Sequence, residues 1–361
     1  MINEERLIRT FCDLVRIDSP SDEEEEMAQE LSRRLSALGF MPERDAHGNL
    51  IASEDGDNPL LLSAHMDTVE PGRGIKPRVE GDRVVSDGTT ILGGDCKAGV
   101  AAILEALESM KEDNTPRRSV QLAFTRGEEI GLVGARNMDF SMIKPTEAVV
   151  FDGNGPVNKL TSASPTYVSF EVKITGRSAH AGVEPEKGLS AIKIAAEIIN
   201  QLPQGRLDEE TTFNVGTISG GTVRNAVPES ASFTGELRSR SIETLDLLQL
   251  QAKGIFDQVR DKYKEAVIED GFNIEFHTYT LDPREKMLGV VNRTLESMGL
   301  TPRPEPSGGG TDGNVMRLRG IECVVVGMST YEMHTVREYV IIPDLVNTAT
   351  FCQTLLSQIA L

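Results

Sequence analysis

Several histidines and carboxylates in this chain follow directly after short apolar runs, which is where side chains can gather around a cation. Leu60-Leu61-Leu62-Ser63-Ala64 runs into His65-Met66-Asp67. Positions two apart in extended chain share a face. His65 can therefore bind a metal while Asp67 takes the free ring N–H, as metal-bound imidazoles usually require. A polar strand end with a solvated Asp67 is the alternative. Leu92-Gly93-Gly94 delivers Asp95 to the mouth of a helical pattern, either as a ligand or as an N-cap. Phe124-Thr125-Arg126-Gly127 leads to the doublet Glu128-Glu129. Adjacent carboxylates are costly unless a cation holds them or one keeps its proton. Asp152 closes the run Val149-Val150-Phe151, and His334 follows the apolar stretch Cys323–Val326 after a Gly-Met-Ser turn.

Together these segments place His65, Asp95, Glu129, Asp152 and His334 beyond the ends of expected core strands, with Asp67 and Glu128 beside them. Two imidazoles with several carboxylates suit a pair of divalent ions such as zinc. A shared carboxylate could bridge two ions about 3.5–4 Å apart. One member of the Glu128–Glu129 doublet would then bind, and the other would take a proton from the water between the ions. A phosphate loop at Gly93-Gly94 is disfavoured, because GxxxxGK[ST] is absent and Asp95 would repel phosphate.

The elements that must position these residues alternate between helix and strand. Helical spacing covers 4–17, and Ser21 with Glu24 has the form of a capping box for a second helix ending at Gly39. Strands are expected at 60–64, 120–125 and 149–151, with a helix carrying Val100, Ile103, Leu104 and Leu107 between the first two. That alternation argues for an α/β sheet with helices on its faces. Near residue 165 the pattern changes. A period-2 strand is followed by a helix at 189–202, strands near 212–219 and 230–238, a helix at 241–263 and a strand near 272–280. This β-α-β-β-α-β order describes a ferredoxin-like α+β unit. Helix–strand alternation then resumes, through Val290–Met298 and Cys323–Val326 to a closing helix at 342–360. The expected organisation is a discontinuous α/β domain, 1–164 and 281–361, interrupted by an inserted domain at 165–280.

Composition narrows the function classes. The chain has 361 residues, 39% hydrophobic and 26% charged, with a net charge of -19. So acidic a surface repels a nucleic acid or an anionic membrane. No run approaches the roughly 20 apolar residues of a membrane span. The charged, amphipathic first segment lacks a secretory apolar stretch. Four cysteines without a CxxC pair suit a reduced cytoplasm.

The ordered set AHMDTV, GGDCKAG, TRGEEIG, FDG, GRSAHAG and YEMHTVREYV resembles the peptidase T and glutamate carboxypeptidase superfamily of dinuclear zinc exopeptidases. SGGGTDGN and the chain length point to its peptidase T-like branch. The resemblance implies a zinc-exopeptidase-type catalytic domain, with a mixed sheet and helices on both faces, and an inserted lid and dimerisation domain. It implies that His65, Asp95 and Asp152 hold one ion and Asp95, Glu129 and His334 the other, with Asp95 bridging. Zn2+ is expected, with Co2+ or Mn2+ as substitutes. Glu128 matches the general base and Asp67 the carboxylate that orients His65. His180 matches an oxyanion-stabilising histidine, often acting across a dimer. Asn225 and Arg238 match substrate contacts, and Gly309, Gly310, Thr311 and Asp312 a loop near the substrate. The chain departs from the family pattern at Cys96, which follows Asp95 across a peptide bond often cis in the family, and at Ser307, where peptidase T has an arginine.

The resulting expectation is a cytoplasmic, homodimeric metallo-exopeptidase that cleaves the terminal bond of short peptides as a tripeptide aminopeptidase does. An N-acyl amino acid deacylase or a carboxypeptidase could use the same site. A non-catalytic, metal-holding module is the remote third reading.

Overall fold

The structure, a computed structural model, describes residues 1–358. The chain divides into two compact units. One comprises residues 1–163, 280–307 and 311–361; the other comprises 164–279 with the short piece Gly308–Gly310. That tripeptide was assigned in sequence to the surrounding domain.

The first unit is built on a mixed sheet. The strand Leu60–His65 lies between Val120–Thr125 and Glu147–Gly153, and Glu322–Gly327 pairs with the latter. All four run parallel, so their carboxyl ends share one edge, where open α/β sheets place their ligands. Met41–Arg44 and Leu50–Ser53 extend the sheet antiparallel on one side, and Lys159–Ser164 continues it beyond Glu322–Gly327. The central strands are buried along their length, which explains their continuous apolar runs.

Alternate residues of these strands face two separate cores. Leu60, Leu62, Ala64, Leu122, Phe124, Val149 and Val324 pack with the helices Glu4–Val15, Glu25–Leu38, Gly94–Glu112, Lys286–Ser297 and Ile342–Gln358. Leu61, Ala123, Ala148, Val150 and Val325 face a smaller cluster with Met138, Met316 and Ile321. Helices therefore cover both faces, unequally. The last two residues of the closing helix expected at 342–360 lie outside the described residues. The four cysteines are buried and unpaired, and all fall in this unit.

The inserted unit has strands Thr166–Thr175, Thr212–Gly220, Ser230–Ser239 and Val267–Phe276, with helices Ala191–Gln201 and Ile242–Lys262. Numbered along the chain, its four main strands stand in the order 2-3-1-4, all antiparallel, which is the ferredoxin-like arrangement. Phe170, Phe213, Phe233 and Phe256 pack into a core of their own with Ile194 and Ile198. The last strand starts five residues before the expected 272, because Ile268 also turns into that core.

One local expectation fails. Ser21 and Glu24 do not form a capping box. The second helix starts at Glu25, and its cap Glu24 makes no side-chain bond to the helix. Both side chains reach distant segments instead. Gly39 ends this helix as expected, with φ of 100°.

Candidate active site

The ends of the parallel strands assemble the site. His65 is the last residue of its strand, Asp152 the penultimate residue of its own, and Glu128 and Glu129 follow the strand that ends at Thr125. His334 comes after the strand ending at Gly327, in a segment where Ser329, Glu332 and His334 all have positive φ, 75°, 50° and 63°. L-residues rarely adopt that region, and strained backbone of this kind clusters at functional sites.

Asp95 stands at the centre. Its Oδ1 lies 3.1 Å from His65 Nε2 and its Oδ2 3.1 Å from His334 Nε2. His334 Nε2 is also 3.0 Å from Glu129 Oε1, and His65 Nε2 is 3.5 Å from Asp152 Oδ1. Three groupings of possible donors converge: His65, Asp95 and Asp152 with the Cys96 thiol alongside; Asp95, Glu129 and His334; and His65 with Glu128 and Glu129. The first two meet at Asp95. Asp95 turns one oxygen to each histidine. Asp95 has non-helical backbone at the start of Gly94–Glu112, and the Asp95–Cys96 peptide is cis.

The electrostatics suit cations. Burial pushes Asp152 up to about 7 and raises Glu128 and Glu129 above the usual carboxylate range, with neighbouring carboxylates adding to the effect. Burial also works against Asp95, but its bonds to His334 and His65 prevail and hold it at about 2. Bonds to Asp95 and Glu129 raise His334 to about 10. Burial disfavours the His65 imidazolium, yet its acidic neighbours raise it well above the ordinary value. Carboxylates that resist joint ionisation around imidazoles that attract a positive charge are a donor set for divalent ions. Cys96 is the exception. Its thiol donates to the Phe151 carbonyl at 2.6 Å, and burial pushes its pKa far up, so it is not prepared as a thiolate ligand.

Asp67 does more than face His65. His65 Nδ1 lies 2.9 Å from the Asp67 main-chain oxygen and 3.4 Å from Oδ1. The Asp67 carboxylate also accepts the N–H groups of Glu128 and Glu129, at 3.0 and 3.2 Å, and the Ser21 hydroxyl at 2.7 Å. It thus fixes the doublet as well as the imidazole. Glu24, buried, accepts the Gly127 N–H at 2.9 Å. Asp312 is buried with its Oδ2 on the Thr125 hydroxyl and its Oδ1 without a partner, and burial pushes it up to about 6. Lys97, fully buried, donates to the Ile17 carbonyl at 2.8 Å, and burial lowers its pKa to about 7.

The sequence did not single out Ser21 and Glu24 for these contacts, nor Lys97. Their partners are main-chain groups and side chains far along the chain, which spacing does not reveal.

The remaining expected residues lie mainly on the inserted unit. His180 lies in an isolated antiparallel bridge, and Asn225 in the turn just before its partner. His180 pairs with Ala226, and the Ala181 N–H donates to the Asn225 carbonyl at 3.0 Å. Both are exposed. Arg238 lies over the Tyr167 ring, 4.4 Å from its centroid, and its guanidinium bonds Glu236 at 2.9 and 3.1 Å and the Gly308 carbonyl at 3.2 Å. Its fork is therefore partly engaged. The Gly309 carbonyl accepts the Ser164 hydroxyl, and a Cβ on Gly310 would come within 2.2 Å of the Phe276 ring. Thr311, in the first unit, caps the helix Asp312–Leu318 through a capping box with Asn314.

Residues 163–264 match a family model described as a peptidase dimerisation domain, and residues 48–171 one described as peptidase family M28. A crystal structure of aminopeptidase PepT from Bacillus cereus is 36% identical, covers 100% of both chains and superimposes with a TM-score of 0.85. A tripeptidase from Staphylococcus aureus is 31% identical over 100% of this chain and 99% of its own, with a TM-score of 0.91. Peptidase T of Vibrio cholerae is 26% identical over 87% of this chain and 86% of its own.

Proposed function

From the premise that the chain belongs to the peptidase T-like branch of the metallo-exopeptidases, we propose that it removes the N-terminal residue of short peptides, tripeptides above all, as a cytoplasmic homodimer. The observation that carries this reading is the division of Asp95 between two histidines, at 3.1 Å each, with the buried carboxyl of Glu128 beside them and outside both sets that meet at Asp95. His65, Asp95 and Asp152 would hold one divalent ion and Asp95, Glu129 and His334 the other, Zn2+ by donor type, with Co2+ or Mn2+ as substitutes. When bound, the ions would polarise the scissile carbonyl and acidify the attacking water.

The chain's own groups do the rest. Glu128 takes the proton of the attacking water and passes it to the departing amine. Burial raises its proton affinity, which favours the first of these transfers. Asp67 keeps the doublet and His65 in register. His180 holds the developing oxyanion. Arg238 and Asn225 contact the peptide, with Gly309, Gly310 and Thr311 forming a loop beside it. Arg238 would share its guanidinium between Glu236 and a substrate carboxylate.

Incubation of metal-replete protein with Ala-Ala-Ala, Ala-Ala and N-acetyl-alanine tests the reading. Release of free alanine and Ala-Ala from the tripeptide, with the N-terminal residue leaving first, is expected. Isotopic labelling of one end identifies which residue departs. Release of the C-terminal residue would make the protein a carboxypeptidase. Cleavage of the N-acyl substrate alone would make it a deacylase, and bound metal without any cleavage a binding module.

A further inference from the structure

Glu338 lies four residues beyond His334 and has no part in either donor set. Its side chain is buried, with 1% of the residue exposed. The hydrogen bonds its carboxylate accepts come from the main chain: Oε2 takes the N–H groups of Leu92 and Gly93, each at 2.8 Å, and Oε1 takes that of Asp95 at 3.1 Å. Gly93 has φ of 74°, so the turn aims successive amides toward one point, a concave nest suited to an anion. Here the anion is supplied by the chain itself. Burying a carboxylate without a cation bonded to it is costly, and burial raises Glu338 to about 7. A glutamine of the same size would keep one acceptor oxygen but turn an NH2 group toward at least one of these N–H donors. The amides so held end at Asp95, whose oxygens face His65 and His334. The segment that presents one imidazole thus also clamps the carboxylate opposite it.

We propose that Glu338 is a positioning residue of the metal centre, clamping the Leu92–Asp95 turn so that the shared ligand stands in place before a cation arrives. This rests on the reading of Asp95 as that ligand. The test compares Glu338→Gln, Glu338→Asp and, as a matched loss of a buried carboxylate elsewhere, Glu105→Gln, whose side chain bonds Arg6 and the Asn3 N–H. Zn2+ affinity of the metal-free proteins is measured by calorimetric titration, and the visible spectrum is recorded after Co2+ loading. Glu338→Gln should weaken Zn2+ binding about 10- to 100-fold and alter the Co2+ spectrum. It should lower kcat on Ala-Ala-Ala while KM stays unchanged. Glu338→Asp should recover part of the affinity, and Glu105→Gln should match the wild type. Wild-type affinity and spectrum in Glu338→Gln would overturn the proposal, whatever its melting temperature.

Should that variant fail to fold, amide exchange in the metal-free wild type decides. Protection at Gly93 and Asp95 supports the clamp, and exchange at the free-peptide rate overturns it. Because cation affinity is read without turnover, a protein that cleaves no peptide yet loses Zn2+ affinity in Glu338→Gln would refute the peptidase reading alone. One that cleaves peptides with unchanged affinity would refute only the clamp.

Discussion

Glu128 and Glu129 are chain neighbours with different surroundings. Glu129 meets His334 at 3.0 Å. Glu128 is placed by its own N–H on Asp67, and Asp152 and Asp312 add to the burial that raises its proton affinity. Replacing Glu128 by Gln keeps its shape and removes its basicity. Turnover of Ala-Ala-Ala should fall by about 10²–10⁴-fold, while metal content measured by atomic emission stays at the wild-type level. Full activity in this variant would disprove the assignment. Asp67→Asn tests the other side of the same arrangement. An amide there would oppose a main-chain N–H that now has an acceptor, so both cation affinity and kcat should drop, the affinity by about 10- to 100-fold. Unchanged calorimetric titration would show that Asp67 is dispensable.

At the level of elements, the helix Gly94–Glu112 must approach the strand that carries Asp152 closely. A Cβ on Gly99 would fall 2.5 Å from the Phe151 carbonyl oxygen and 2.8 Å from its Cβ. Gly99→Ala should therefore push helix and strand apart, at a cost of about 1–3 kcal/mol in chemical denaturation, and weaken cation binding, since Asp95 and Asp152 sit on the two parts. A fully stable variant with native affinity would contradict this close approach. These elements also mark how far the sequence could be read. The candidate donors could be singled out because His65, Glu129 and Asp152 come at or just after apolar runs, whose parallel strands bring their ends to one edge, and because Asp95 follows the glycines that open a helix. Ser21 and Glu24 were misread because their spacing fits a local capping pattern, whereas Ser21 bonds Asp67, 46 positions away, and Glu24 accepts the N–H groups of Asp22 and of Gly127, 103 positions away. The Glu338 contacts were equally hidden, since an acceptor more than 240 positions from its amides leaves no local spacing to read.

For the molecule as a whole, the inserted unit offers a self-association surface in this reading. Ile218 and Val223 are each 58% exposed and Ile192 41%. Past Phe213 the outer edge of Thr212–Gly220 has no strand partner among the described residues. Edges of this kind invite pairing with a second copy. Light scattering should give a dimer for the wild type and a monomer for Ile218→Asp; a monomeric wild type would end the dimer reading. A second global property follows from the acidic centre. In the metal-free protein Asp152 lies at about 7, Asp312 at about 6 and Glu338 at about 7, whereas unfolded carboxyls titrate near ~4. Across that interval the folded chain holds more protons than the unfolded one, so these groups lower stability as pH rises. His334, held at about 10, continues the same sign above its unfolded value, and Lys97, lowered to about 7, opposes it only above that pH. The metal-free melting temperature should be lower at about pH 8 than at about pH 5, and Zn2+ should raise it most at the higher pH. The reverse order would contradict the electrostatics of the site.

The buried cysteines carry a practical consequence. Cys12, Cys96, Cys323 and Cys352 lie on three helices and one strand of the first unit, and the inserted unit has none. An alkylating reagent offered to the intact protein should find nothing to modify. The rate at which mass is gained should instead clock the opening of that one unit, helix by helix once each adduct is located, while the neighbouring unit stays silent.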